Sequence, residues 1–315
     1  MRPARVVPVV LLAFLGLVAA VPADAAQIVT RNPRGVRLAV DNKHRAMVTY
    51  YHGGRWWHDF FWGAINARTP SQDMKQVKFR VDYSGGRGAW RHFKNTCRPY
   101  DGPALAWLVT ACTARDGSYW ALQSWQRMLP NVGYVPWKHE QRVWELRLSH
   151  WTGLPAQIEV YTDWVYAGRF HALFGRATYR GQPIYGFKTT ASGNPLDAFG
   201  RLVFLDTFDS AYGPGWRREN SFVVHKPSGM FCYGFFPHSS YGDYPKQRTQ
   251  KLAGNGRRYR ITLSGPGVTP DVTWTGAGLP DYDPKNPQLL DLQNQMREKV
   301  RSMARAHGDR LCGHH

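Results

Sequence analysis

A mainly β, antiparallel chain with one C-terminal helix is the fold that this sequence predicts, and three observations carry the prediction. Aromatic residues (Trp 13, Tyr 16, Phe 15) and turn formers (31 Gly, 21 Pro) are abundant, as in pleated, half-buried strands joined by tight turns. Short apolar runs recur between Gly, Asn and Asp clusters at the spacing of a sandwich or barrel. No long amphipathic helix is evident before residue 286. The expected architecture is an antiparallel β-sandwich with a C-terminal α-helix, built as one large sandwich or as two packed sandwich-like halves.

Taken in order, Val36–Val40 and Ala46–Tyr51 read as strands about an Asp41-Asn42-Lys43 turn. A His52-Gly53-Gly54 turn leads into the aromatic run Trp56–Trp62. Further strands are expected over Lys78–Tyr83, Ala106–Cys112, Tyr119–Gln126, Arg142–Leu148 and Ala156–Tyr166. Arg201–Asp209, Asn220–His225, Met230–Phe236 and Tyr259–Leu263 complete the set, with a Lys226–Gly229 turn joining the second and third of these. Gly213-Pro214-Gly215 reads as a corner between strands. Tyr51–Gly63 and Tyr166–Gly175 share a Gly-Arg-aromatic turn followed by His, Phe and Gly, a faint echo that two similar halves would explain. From Asn286-Pro287 to about His307, Leu289, Leu292, Met296, Val300 and Met303 form an apolar stripe. That stripe is expected to dock the helix on the β body.

The ends bear on address and organisation. Arg2 and Arg5, the apolar run Val6–Ala20 and the Ala23-Asp24-Ala25 box have the form of a secretory signal peptide cleaved before Ala26. The division expected is therefore 1–25 signal peptide, 26–150 an N-terminal β half, 151–280 a C-terminal β half, and 281–315 a linker with the docked helix. A secreted, extracellular location follows, with no membrane-spanning segment after cleavage. Four cysteines suit an oxidising compartment. Of three possible pairings, Cys97–Cys112 brackets a hairpin, and Cys232–Cys312 would staple the C-terminal segment to the body. No C-x-x-C, H-E-x-x-H or H-x-H spacing points to a metal, and no cofactor motif is present.

The net charge is +19, most of it arginine. In an exported chain its counterparts would be anionic envelope polymers, acidic polysaccharides or lipid headgroups, and nucleic acid is not the expected partner. The charge is dispersed, with short clusters at Arg217-Arg218 and Arg257–Arg260.

Two places could carry function. In Arg201–Asp209, alternation puts Leu202, Phe204, Asp206 and Phe208 on one side and Val203, Leu205, Thr207 and Asp209 on the other. Asp206 and Asp209 then point apart, whereas a glycosidase needs its carboxyls about 5 to 9.5 Å apart in one cleft. With Glu219 and Asp163 they remain the candidate catalytic carboxylates of a carbohydrate-active hydrolase or lyase. Trp164 or Trp216 would serve as sugar platform, and Arg217 and Arg218 lie next to Trp216. Pairing across 226–229 would set Val223 opposite Cys232 and Glu219 opposite Phe236, with Phe222, Val224, Phe231, Tyr233 and Phe235 facing the core. Ser221 and His225 lie about 13 Å apart in such a strand, too far for a nucleophile and its base. The second place is the ring-rich strand: Trp56 and Trp62 share one face, Trp57 and Phe61 the other. If one face is core, the other presents rings suited to sugars. These readings favour a non-catalytic binder of an envelope or extracellular polymer over the hydrolase, with a structural or assembly protein as the third possibility.

Overall fold

The computed structural model describes residues 26–69, 75–126, 143–165, 170–187, 202–210, 213–235, 258–276, 279–280 and 282–312. Within these the chain is mainly β, all sheets are antiparallel, and one α-helix closes the C terminus. The first pair of sheets holds residues up to Trp151. Strands β1 (Gln27–Arg31), β6 (Arg98–Pro99), β7 (Leu108–Thr113), β8 (Tyr119–Trp125) and β9 (Glu145–Trp151) lie in the order β1-β9-β8-β7-β6. Facing them are β2 (Arg34–Val40), β3 (Arg45–His52), β4 (Arg55–Gly63) and β5 (Phe79–Asp82), in sequence order. Val40, Val48, Phe61, Trp120, Leu122 and Leu148 interdigitate between the two sheets, the inward halves of alternating strands.

A second pair follows. Strands β10 (Gln157–Val165), β11 (Phe170–Tyr179), β12 (Gln182–Pro183) and β15 (Met230–Phe235) make one sheet, with β11 at its centre. The other has the order β14 (Gly213–Val223), β13 (Leu202–Ser210), β16 (Arg258–Leu263), β17 (Val272–Gly276). Leu173, Ala177, Val203, Leu205, Phe231, Tyr259 and Ile261 fill the space between. Each pair of sheets thus encloses a buried cluster of its own.

One expected pairing does not form. The turn after His225 closes as expected, with the Met230 carbonyl accepting from the His225 N–H (2.6 Å). Beyond it the strands part: Val223 faces Leu202 and Ser221 faces Phe204, while Cys232 faces Phe174. Strands β14 and β15 belong to opposite sheets of one sandwich. Phe222 stacks on Tyr233 and tilts against Phe231 across the core, so the turn is a sheet-to-sheet corner rather than a hairpin. The Gly213-Pro214-Gly215 segment stands where the chain reverses from β13 into β14, Ser210 pairing with Gly213, and β14 runs from it through Glu219.

Helix α1 (Pro287–Ala306) has Asn286 as N-cap, its side chain accepting from the Gln288 N–H, and Pro287 in the first turn. Met296, Val300, Met303 and Ala304 pack on Tyr161, Phe174 and Met230, the outer face of the β10–β11–β15 sheet. Cys232–Cys312 and Cys97–Cys112 are both bridged, with Cα atoms 5.6 and 5.7 Å apart. Among the described residues no helix is long and apolar enough to cross a membrane.

The two sandwiches are tied by a polar knot. Gln123 of β8 exchanges two hydrogen bonds with the Asp271 backbone (2.9 and 3.0 Å), and Trp125 Nε1 donates to Asp271 Oδ2 (2.8 Å). Gln123, Trp125 and Asp271 are all buried. Loops also cross over: Ala67 packs into the second core and Val268 into the first.

Candidate functional site

The outward face of β13, β14 and β16 meets β8 and the loop before β7, and here several singled-out residues converge. Register places Asp206 between Arg218 of β14 and Arg260 of β16, and Phe208 between Trp216 and Arg258. Arg218 Nε donates to Asp206 Oδ1 (2.5 Å), and Arg260 donates to Oδ2 through Nε (3.1 Å) and Nη2 (2.9 Å). Rings frame the guanidiniums. Arg218 lies 4.7 Å over Phe204 and 5.3 Å over Trp125. Arg260 lies 4.1 Å over Trp107 and 4.5 Å over Trp216. Arg258 sits 4.5 Å over Phe208. Burial presses the Arg260 pKa down, while the Asp206 charge pulls it back up.

Sequence reasoning singled out Asp206, Trp216 and Arg218 but not their union with Arg258 and Arg260. The missed signal is alternation in Arg258-Tyr259-Arg260. Tyr259 enters the core, so both arginines must face the other way. Arg217 points opposite to Arg218, paired with Thr207 across the strand. Asp209 takes a left-handed backbone (φ 47°) at a register shift, and its Oδ1 accepts from the Gly215 N–H (2.6 Å). It fixes a turn and does not join Asp206. Glu219 falls at the shift between the Leu205–Asn220 and Asp206–Arg218 pairs; its side chain lies outside the described residues.

The remaining carboxylate and ring candidates separate. Asp163 is buried where α1 docks, its pKa pushed up to about 6 by burial. Trp164 is fully buried, with Nε1 donating to the Pro280 carbonyl (3.1 Å), so it offers no platform to a sugar. Trp57 turns inward, stacked on Tyr50 and covered by the Arg55 guanidinium at 3.7 Å. Trp62 is half-buried opposite Arg45 and Arg80.

Trp56 is different. It is 51% exposed, and its ring lies against Gly35, where an added Cβ would come within 2.7 Å of the indole. Gly35 also has φ 61°, a conformation that favours glycine. Register aligns Arg34, Tyr51 and Trp56 in one cross-strand row and Arg37, Thr49 and His58 in the next. His58 stacks on Trp90 at 4.0 Å. Arg34, Arg37, Tyr51, Arg55 and Trp56 are exposed, and neither row contains a carboxylate.

Two hydrogen-bonded groups resemble catalytic sets without being able to act as such. Ser118 Oγ lies 3.0 Å from His150 Nε2, and His150 Nδ1 lies 2.9 Å from the Gly63 carbonyl. The serine hydroxyl, however, donates to Asp116 Oδ1 (2.6 Å). Ser118 and His150 are only 1% and 4% exposed, beyond the reach of a substrate. At the β14–β15 corner, His225 and Ser228 both bond Asp309 Oδ2 (3.0 and 2.5 Å), so the serine hydroxyl is directed at the carboxylate and not at the histidine. His225, Cys232 and Cys312 cluster at metal-ligand spacing, but the two sulfurs are committed to each other and offer no thiolate.

No protein-family model matches this chain, no curated protein is similar to it at a significant level, and no solved structure matches its fold.

Proposed function

We propose that this is an exported, non-catalytic protein that binds an anionic polymer of the cell envelope or extracellular space through the outer face of the β2–β5 sheet. The observation that carries the reading is the exposed Arg34–Tyr51–Trp56 row beside Arg37, a basic and aromatic surface with no carboxylate in either row. Ring faces stack on the C–H face of a sugar, and guanidiniums pair with carboxylate, sulfate or phosphate. The indole packs closely against Gly35, so little freedom is lost when a ligand settles on it. The net charge of +19 draws a polyanion from a distance. Export accords with the two disulfides and with the leader-like N-terminal sequence.

Binding is favoured over hydrolysis by the state of Asp206. Both its oxygens are engaged by arginines, and a carboxylate so held is not free to attack a substrate. The test is retention on an insoluble acidic polysaccharide or on cell-wall material at low salt. The wild-type chain is expected to be retained and to elute as salt rises. Trp56→Ala should lose most of that retention while remaining folded. Equal retention of the two proteins, or none by either, would refute the reading.

A further inference from the structure

The layer between the two sandwiches holds a second concentration of arginine and tryptophan, on different strands from the exposed sheet face. We infer that the face of β13, β14 and β16 carrying Asp206, Arg218, Arg258 and Arg260 is a ligand site of its own, and that its ligand is an oxyanion borne on a sugar ring, the carboxylate or sulfate of an acidic saccharide.

Charge balance is the first ground. Asp206 spends one oxygen on Arg218 and the other on Arg260. Arg258, two residues along β16 from Arg260 and on the same face, has no carboxylate partner among the described residues; its contacts are the rings of Phe208 and Trp216. Among the described residues three guanidiniums thus share one carboxylate, with Arg218 buried, Arg260 partly buried and Arg258 exposed at the rim, and the two inner charges repel more strongly than they would in water. A second anion relieves that imbalance.

An unmet donor is the second ground. The Arg218 side chain is only 3% exposed, and its Nη1 is buried without a hydrogen-bond partner. Buried guanidinium N–H groups are ordinarily satisfied, and one that is not marks a place for an acceptor.

The rings supply the third ground. Trp216 is only partly buried, lies edge-on to Phe208 and stands within 5.8 Å of both Arg258 and Arg260. Thr275, directly across from Arg260 on β17, adds an exposed hydroxyl. An indole beside a guanidinium fork suits a sugar ring whose acidic group meets the fork. Asp206 then occupies the position of an internal competitor, a carboxylate already on the two inner arginines.

Titration calorimetry on the full chain at low salt, with glucuronate, glucose and sulfate as probes, tests this. Glucuronate is expected to bind one per chain, sulfate more weakly, and glucose not at all. Arg258→Ala, an exposed change that leaves the core untouched, should weaken glucuronate binding about tenfold, the loss of one charge-assisted contact. Asp206→Asn should strengthen it, because the competitor is gone. Trp56→Ala should leave it unchanged, which separates this site from the exposed sheet face. Polymer retention can therefore fail while glucuronate still binds, and the reverse. Absence of glucuronate binding, or identical affinity in Arg258→Ala, overturns the site. Sulfate binding as tight as glucuronate, unaltered in Trp216→Ala, overturns its sugar component.

Discussion

Single side chains in this protein are held by partners whose loss has calculable consequences. Asp206 neutralises a guanidinium that is nearly sealed from water, so Asp206→Ala strands the Arg218 charge. A loss of about 3–5 kcal/mol is expected, read as a lower denaturation midpoint. Asp59 behaves in the opposite sense. It is fully buried between the sheets of the first sandwich and accepts from the Tyr50 hydroxyl (2.6 Å). Burial pushes its pKa up to about 6 from 3.8, against the lowering effect of the Tyr50 hydrogen bond. The folded chain therefore keeps this proton to higher pH than the unfolded chain does. Its contribution to stability is complete below about pH 4 and disappears as pH rises through about 6. Asp59→Asn should stabilise the protein by about 2 kcal/mol at pH 8 and little at pH 4, measured by urea denaturation at both. At Gly35, substitution by alanine should displace the Trp56 ring and weaken polymer retention as Trp56→Ala does, because the new methyl would meet the indole at 2.7 Å. Alternation made the Trp56–Trp57 division visible in the sequence. It could not show which face was core, since that depends on a partner sheet distant along the chain.

At the scale of elements, α1 is the clearest success of local reasoning. An Asn-Pro start and apolar residues three and four apart define a helix with one buried stripe, whatever lies beneath it. The β14–β15 corner is the clearest failure, for a physical reason. Two apolar-rich runs flanking a four-residue turn are as well satisfied facing each other across a core as side by side in one sheet. Only long-range pairing with β13 and β11 decides between them. Strands β1, β11 and β17 also escaped a local reading, since their length and polarity give no strong period. The disulfides bear unequally on these elements. Cys232–Cys312 closes 80 residues of chain and Cys97–Cys112 only 15. Loop-closure entropy gives about 4.5 kcal/mol for the first and about 3 for the second. Cys312→Ser should therefore cost more stability than Cys97→Ser, and it should open α1 to limited proteolysis while the sandwiches stay intact.

For the molecule as a whole, the contacts order the layers. The β2–β5 sheet backs onto the β1-containing sheet, whose Trp125 meets Phe204 and Arg218 of the β13–β14 sheet; the β10–β11–β15 sheet and α1 follow. The middle layer is polar and aromatic, with Gln123 bonded to Asp271 and Asp206 paired with Arg218 and Arg260 in it, unlike the apolar interiors on either side. Such a seam transmits disruption, because parting the halves strips the buried Gln123 and Trp125 of their hydrogen bonds to Asp271. Calorimetry of the intact chain should show one unfolding transition, and Asp271→Ala should lower it without splitting it; two resolved transitions would mean that the halves are energetically separate. The crossed positions of Ala67 and Val268 carry this further, into the order of events during synthesis. The first core is closed by a residue about 117 positions past its last strand, and Gln123 waits on Asp271. An N-terminal half emerging from a ribosome or an export channel therefore lacks a wall until nearly all of the chain has followed. Truncation anywhere before residue 268 should leave it a substrate for chaperones and proteases rather than a folded fragment.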